Sequence, residues 1–300
     1  MLTSFTSIQN FSNVYVPQPN FFAHGDGATI TPSLAQGYLS HTFTATIAYI
    51  YIRTTLLKTD DPTITLCLNA VLCYDTCIQS PQTLFIRDIR GLAPPDSPTC
   101  LSCAASIALL DMNVAYYSGD GTSRGPVIPQ RLAAPRFPGG RTRLTGARLE
   151  LPIFFQREDN GAPGLSVADA LSGRVHLRGV TEPARLGGKS STYICINWPG
   201  IPEFKRQIQT RDQTQQRSPI TLARLVKHVG RSVQLLFERE LTGTPPISGS
   251  YDSPFSAPWR IGEGGIRLDE LLIVGVVHVS PGAFQVVLQL ARPRGGFAIL

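Results

Sequence analysis

A chain of 300 residues and 32.6 kDa is long enough to bury a sizeable core. An apolar fraction of 42%, a charged fraction of 16%, 27 Gly and 24 Pro exclude collagen-like, coiled-coil, polytopic-membrane and highly charged disordered classes. The formal net charge is +6, and the only lysines are Lys58, Lys189, Lys205 and Lys227, so Arg dominates the basic set. Residues 121–218 hold 15 basic and seven acidic side chains, whereas residues 1–120 hold four and eight. An asymmetry of this kind fits an anionic partner. A GC-rich coding sequence gives the same Arg bias with no partner at all.

Met1-Leu2-Thr3-Ser4-Phe5 has no basic leader and no compact apolar run after it. The longest apolar stretch, Phe43 to Ile52, is about half a bilayer span and carries Thr44 and Thr46. The expectation is a cytoplasmic or nuclear protein with no membrane partner and with reduced cysteines. Asn10-Phe11-Ser12 then reads as a chance glycosylation triplet.

Residues 1–120 form an uncertain, β-leaning or poorly ordered region. Thr44 to Ile52 and Thr63 to Leu68 place β-branched and apolar residues at period two, as strands do. Gly25-Asp26-Gly27 and Gly119-Asp120-Gly121 are turn signals. No amphipathic helix stands out. Residues 121–146, rich in Pro, Gly and Arg, read as a linker. An α+β domain is expected over 147–300.

Within that domain, Arg148 to Phe155, Arg174 to Val180 and Ser191 to Trp198 read as strands, with Pro152 favouring an edge or bulge. From about Thr221 to Glu240, Leu222, Leu225, Val226, Val229, Val233, Leu236 and Phe237 form one helical apolar stripe. Ser218 or Thr221 caps its start and Gly243 follows its end. Gly230 inside it costs about 1 kcal/mol relative to Ala and suggests close packing on a sheet. Leu271 to Val279, a turn at Ser280-Pro281-Gly282-Ala283, and alternating Phe284, Val286, Leu288 and Leu290 predict a β-hairpin with its apolar face beneath the helix. The fold class expected is an antiparallel sheet packed by one long amphipathic helix.

Three segments, and a fourth further on, carry a resemblance. Ile196-Asn197-Trp198-Pro199-Gly200 is followed by Arg206 to Asp212 and by Pro219-Ile220-Thr221 opening the helix; Val277-His278-Val279-Ser280 closes the series. Over about residues 190–292 this order resembles a set of uncharacterised fungal proteins. The resemblance implies no activity and assigns no residue a role.

Four sets of residues are candidates for chemistry or binding. Cys73, Cys77, Cys100 and Cys103 form two pairs across a spacer, the arrangement by which tetrahedral zinc gathers four thiolates. Buried cysteines acting as small hydrophobes give the same spacing. Arg124, Arg131, Arg136, Arg141, Arg143 and Arg148 would track a phosphate backbone or another polyanion, or simply line a solvated linker. Tyr251, Phe255 and Trp259 lie in a Pro/Ser/Gly-rich loop and would anchor a protein partner, whereas Trp198 reads as core. His278 with Asp269 or Glu270 is the best acid–base pairing on offer, although a strand-end His is more often structural. Asp26 and Asp60-Asp61 read as turn formers before hard-metal ligands.

No phosphate-binding loop, zinc-protease helix or nucleophile elbow is present, and Gly262-Glu263-Gly264-Gly265 is only a loop. The reading is a non-enzymatic protein-interaction or scaffold module with an unidentified protein partner and no cofactor. The alternatives are a polyanion or nucleic-acid binder using residues 124–148 and a small zinc-stabilised module.

Overall fold

A computed structural model describes residues 36–52, 72–73, 83–87, 107–114, 124–133, 149–242 and 255–294, with 72–73, 83–87 and 107–108 described by their backbone. In chain order the elements are α1 (Tyr38–Phe43), α2 (Ala45–Tyr51), β1 (Leu72–Cys73), β2 (Thr83–Arg87), β3 (Ile107–Met112), β4 (Ile153–Phe154) and β5 (Leu165–Ser166). They continue with α3 (Val167–Ser172), β6 (Ser191–Ile196), β7 (Phe204–Gln209), α4 (Leu222–Thr242), β8 (Leu271–Ser280) and β9 (Ala283–Leu290). The fold is α+β.

The hairpin β8–β9 forms where the sequence placed it, because alternate residues of β9 are apolar and Pro281-Gly282 turns the chain. Around it the main sheet runs β4-β8-β9-β6-β7, with β5 also on β8. The sheet is mixed rather than antiparallel throughout, since β6 pairs β9 in parallel, Tyr193 opposite Ala283 and Cys195 opposite Gln285. That joint is possible because α4 and its flanking loops carry the chain from β7 back to β8 between the two strands. A smaller antiparallel sheet has the order β1-β2-β3.

Both faces of the β8–β9 centre are buried. On one, Phe284, Val286, Leu288 and Leu290 meet Leu225, Val226, Val229, Val233 and Leu236 of α4, together with Trp198, Phe237 and Trp259. Each such aliphatic side chain contributes about 1.5–3 kcal/mol by leaving water. Trp198 packs edge-on to Phe237 at 5.6 Å between ring centroids. Its indole N–H donates to the Trp259 carbonyl at 2.6 Å. Gly230 serves a helix contact rather than the sheet contact expected: a Cβ there would stand 2.8 Å from Ala170 Cβ of α3. Gly275 admits β4, since a Cβ on it would lie 2.4 Å from the Ile153 carbonyl oxygen.

On the opposite face, Val274, Val277, Val279 and Val287 pack with Tyr38, Leu39, Phe43, Ala48, Tyr51 and Ile52 of α1 and α2, and with Leu110 and Met112 of β3. The strand expected over Thr44 to Ile52 is therefore helical. Buried Leu39, Thr42 and Phe43, and buried Ala48, Tyr51 and Ile52, each follow i, i+3, i+4. Tertiary contacts hold both helices, Asp111 at α1 and His278 at α2. The buried Asp111 carboxyl group accepts from Leu39 N at 3.1 Å and from Met112 N at 2.8 Å, closing the start of α1. Tyr51 OH donates to the His278 carbonyl at 2.7 Å. Burial pushes the Asp111 pKa up to about 8, although Met112, Leu39 and Tyr38 N–H groups pull it down.

The Pro/Gly segment expected as a linker includes 124–133, and these residues lie along β9. Gly125 N donates to Leu290 O, Ile128 N to Leu288 O, and Leu290 N to Pro126 O, at 2.8–3.0 Å. The two prolines, 126 and 129, leave the donors at 125 and 128 free to make these bonds. The strand expected over Arg174 to Val180 reduces to one bridge, Arg157 opposite Leu177. The strand expected over Thr63 to Leu68 lies outside the described residues.

Candidate functional site

Beyond β9 the two faces of the sheet part company. α4 covers Ile194, Ile196 and Ile208 of β6 and β7 on one side. On the other side a groove of about 910 Å³ opens over Tyr193, Cys195 and Asn197, walled by Arg131 to Ala133, Lys189, Glu203, Lys205 and the Ser280–Ala283 turn. Strand alternation puts the odd-numbered residues of β6 and β7 on this face. Tyr193 is 45% exposed there.

The inner end of the groove is closed by amides. Gln130 Nε2 donates to the Val286 carbonyl at 2.7 Å, and Gln130 Oε1 accepts from Asn197 N at 2.9 Å and from Gln285 Nε2 at 3.1 Å. One side-chain amide thus stands in for a peptide group where β6 leaves β9. Gln285 also donates to Arg131 O and accepts from Ala133 N, and Asn197 Nδ2 donates to Arg131 O. Further along β9, Gln289 Nε2 donates to Gly125 O and its Oε1 accepts from Tyr38 OH at 2.7 Å. Gln285 and Gln289 are fully buried, and a buried amide must find such partners. Their only trace in the sequence is two uncharged polar residues in an otherwise apolar hairpin strand.

Burial, and then the Glu203 charge, push the Cys195 thiol up to about 12, which removes it as a nucleophile at neutral pH. Lys205 is ion-paired with Glu203 at 2.8 Å, and that hydrogen bond raises its pKa. His278 lies outside the groove lining, buried and stacked on Phe284 at 4.3 Å, and its Nδ1 accepts from Glu150 N at 2.8 Å. Burial lowers its pKa to about 4. The acid–base pairing expected with Asp269 or Glu270 does not form, because those residues precede the start of β8 and His278 is near its far end. Arg267 holds both carboxylates instead, through its side chain to Asp269 and its backbone N–H to Glu270.

The outer boundary is β7. Thr210 N donates to Ser190 O and Tyr193 N donates to Gly282 O. With the register Ser191 opposite Gln209, alternation turns the even-numbered residues of β7 toward β6. The backbone groups of Lys205, Gln207 and Gln209 face away from the sheet and meet no strand among the described residues. The ladder has no bulge and the strand no Pro, two of the usual devices that blunt an edge.

On the α4 side of the same edge stands a second group of charges. Arg206 Nη1 donates to the His228 carbonyl at 3.1 Å, and Arg224, Lys227 and Arg231 share that stretch of α4. Burial lowers the Arg206 pKa, with help from Arg231. Burial, then Arg206, Arg224 and Lys227, lower that of His228.

Of the site residues expected from sequence, Arg131 reaches the groove and is exposed. Arg124 turns inward: its Nη1 donates to the Pro163 carbonyl at 2.5 Å beside Tyr38 and Gln289. Arg136, Arg141, Arg143, Arg148 and Tyr251 lie outside the described residues. Phe255 is 76% exposed, whereas Trp259, expected beside it on an open loop, is buried against Trp198. Cys77, Cys100 and Cys103 lie outside the described residues, as do Asp26, Asp60 and Asp61, and Cys73 contributes only backbone to β1. Among the described residues no group of three or more His, Cys, Asp or Glu side chains is placed to hold a metal ion. Also among them, no helix is long and apolar enough to cross a membrane. No protein-family model, curated protein or solved structure matches the chain.

Proposed function

We propose that this chain is a protein-interaction module that takes an extended segment of a partner protein along the outer edge of β7. The observation that carries the reading is the row of outward backbone groups at Lys205, Gln207 and Gln209 beside an open groove. Main-chain bonding of this kind supplies affinity, and flanking side chains supply selectivity. The amides of Gln130, Gln285 and Asn197 hold the groove's inner wall in one geometry, so little ordering cost remains for binding.

The test uses a proline. Gln207→Pro removes an outward N–H and leaves every backbone bond between β7 and β6 in place; the exposed side-chain bond from Gln207 Nε2 to Ser191 Oγ is lost in Gln207→Ala as well. Peptides selected on the full chain from a random display library are expected to lose binding to Gln207→Pro and to keep it with Gln207→Ala. Selected peptides that bind Gln207→Pro as well as the parent chain would refute the reading.

A further inference from the structure

The β7 edge is bordered by cations on both faces of the sheet. On the groove face are Arg131, Lys189 and Lys205. On the α4 face are Arg206, Arg224, Lys227 and Arg231. The nearby acids account for three of these. Glu203 pairs with Lys205 at 2.8 Å, Glu238 pairs with Arg231 at 3.1 Å, and Asp212 interacts with Arg224. Arg131, Lys189 and Lys227 have no acidic partner among the described residues. A strand laid against β7 would therefore send its side chains alternately into two basic surfaces.

We infer that the segment received by β7 is an acidic stretch of a partner protein, with Asp or Glu at adjacent positions so that both of its faces carry negative charge. The inference rests on the β7 reading and specifies the chemistry of its partner. A second copy of this chain is a poor occupant. Antiparallel pairing of β7 with itself would bring like-charged flanks together, and juxtaposed like charges are destabilising across paired strands. On the α4 side burial, and after it the neighbouring cations, lower the pKa values of Arg206 and His228, and an anion there would offset the second cause. Outward backbone groups favour a peptide over a nucleic acid, since a phosphodiester chain has no N–H and C=O row to pair with them.

Fluorescence anisotropy on the full chain tests this with three labelled peptides on one Val/Thr-rich background. One carries adjacent Asp and Glu, one carries Gln at those positions, and one carries Lys. The acidic peptide is expected to bind about tenfold or more tightly than the Gln peptide at low salt, the sum of several exposed charge pairs. The advantage should shrink as salt is raised. Arg224→Glu with Lys227→Glu on one face, and Lys189→Glu on the other, should each weaken the acidic peptide several-fold while leaving the circular dichroism spectrum unchanged. Gln207→Pro should abolish binding of both the acidic and the Gln peptide. If acidic and Gln peptides bind equally and both are lost in Gln207→Pro, the acidic partner is refuted and the edge reading stands. If the acidic peptide binds Gln207→Pro undiminished, both are refuted. A single-stranded oligonucleotide that displaces the acidic peptide and binds Gln207→Pro as tightly as the parent chain would replace them with a polyanion surface.

Discussion

Gln285 and Gln289 on β9 and Gln207 and Gln209 on β7 are the same residue type on strands of one sheet, with opposite fates. The first pair is wholly buried and every amide is engaged. The second pair is exposed at an edge. The difference is what lies over them. Residues 124–133 and α1 cover β9 on the face away from α4, whereas at β6 and β7 that same face is the floor of a groove. One sheet thus has a centre finished on both faces and an end finished on one. The unfinished end is where an additional strand has somewhere to go.

Four substitutions break or sharpen this contrast, from the greatest expected effect to the least. Leu288→Ala empties a wholly buried site between β9 and α4 and should cost about 2–5 kcal/mol. Urea unfolding would show it as a lower midpoint with an unchanged slope.

The second is a pH effect. His278 has a folded pKa of about 4 against 6.5 for the free side chain, so between those values the unfolded chain binds the extra proton. Stability should therefore fall as pH drops from 6.5 toward 4, with His278 contributing up to about 3 kcal/mol of the loss. Burial lowers His41 and His228 as well, which adds to the same trend. Asp111, raised to about 8, opposes it, since its contribution is greatest at low pH and fades as pH rises toward 8. His278→Gln retains an acceptor for Glu150 N–H and should flatten the slope between pH 4 and 6.5. An unchanged slope would mean that His278 titrates as an exposed imidazole.

Third, Gln285→Leu leaves Ala133 N–H without its acceptor and Gln130 without one of its donors. A loss of about 1–3 kcal/mol is expected. Residues 131–133 should then become a preferred cleavage site in limited proteolysis. Last, Gln209→Ala on the exposed edge should change stability by less than about 0.5 kcal/mol. A large effect there would show that β7 is covered after all.

The elements legible in the sequence were those whose pattern is local and whose face is unambiguous. The stripe from Leu222 to Phe237 admits one helical face, and α4 spans Leu222–Thr242. The alternation from Phe284 to Leu290 admits one strand register, and it lies beneath α4 as expected. Thr44 to Ile52 misled because β-branched Thr and Ile suit strands, while the partners that bury its helical face, such as the His278 carbonyl that accepts from Tyr51 OH, lie far along the chain. Residues 124–133 misled in the opposite sense: Pro126 and Pro129 look like breakers, yet the donors that remain serve β9. Trp259 looked exposed because its neighbours are Pro, Ser and Gly, but Trp198 needed a carbonyl for its indole N–H. Of the candidate site, only Arg131 was legible.

By itself the sequence determined α4, the β8–β9 hairpin and the α+β class, because apolar periodicity is written in adjacent residues and needs no partner to be read. It also determined the basic balance, since charge is a sum over residues. Only the tertiary structure decided which polar residues are buried, which strand is left at the edge, and which cations border it. Those properties belong to pairs of residues distant in the chain. Gln130 and Gln285 are 155 residues apart, and each alone looks like any surface glutamine.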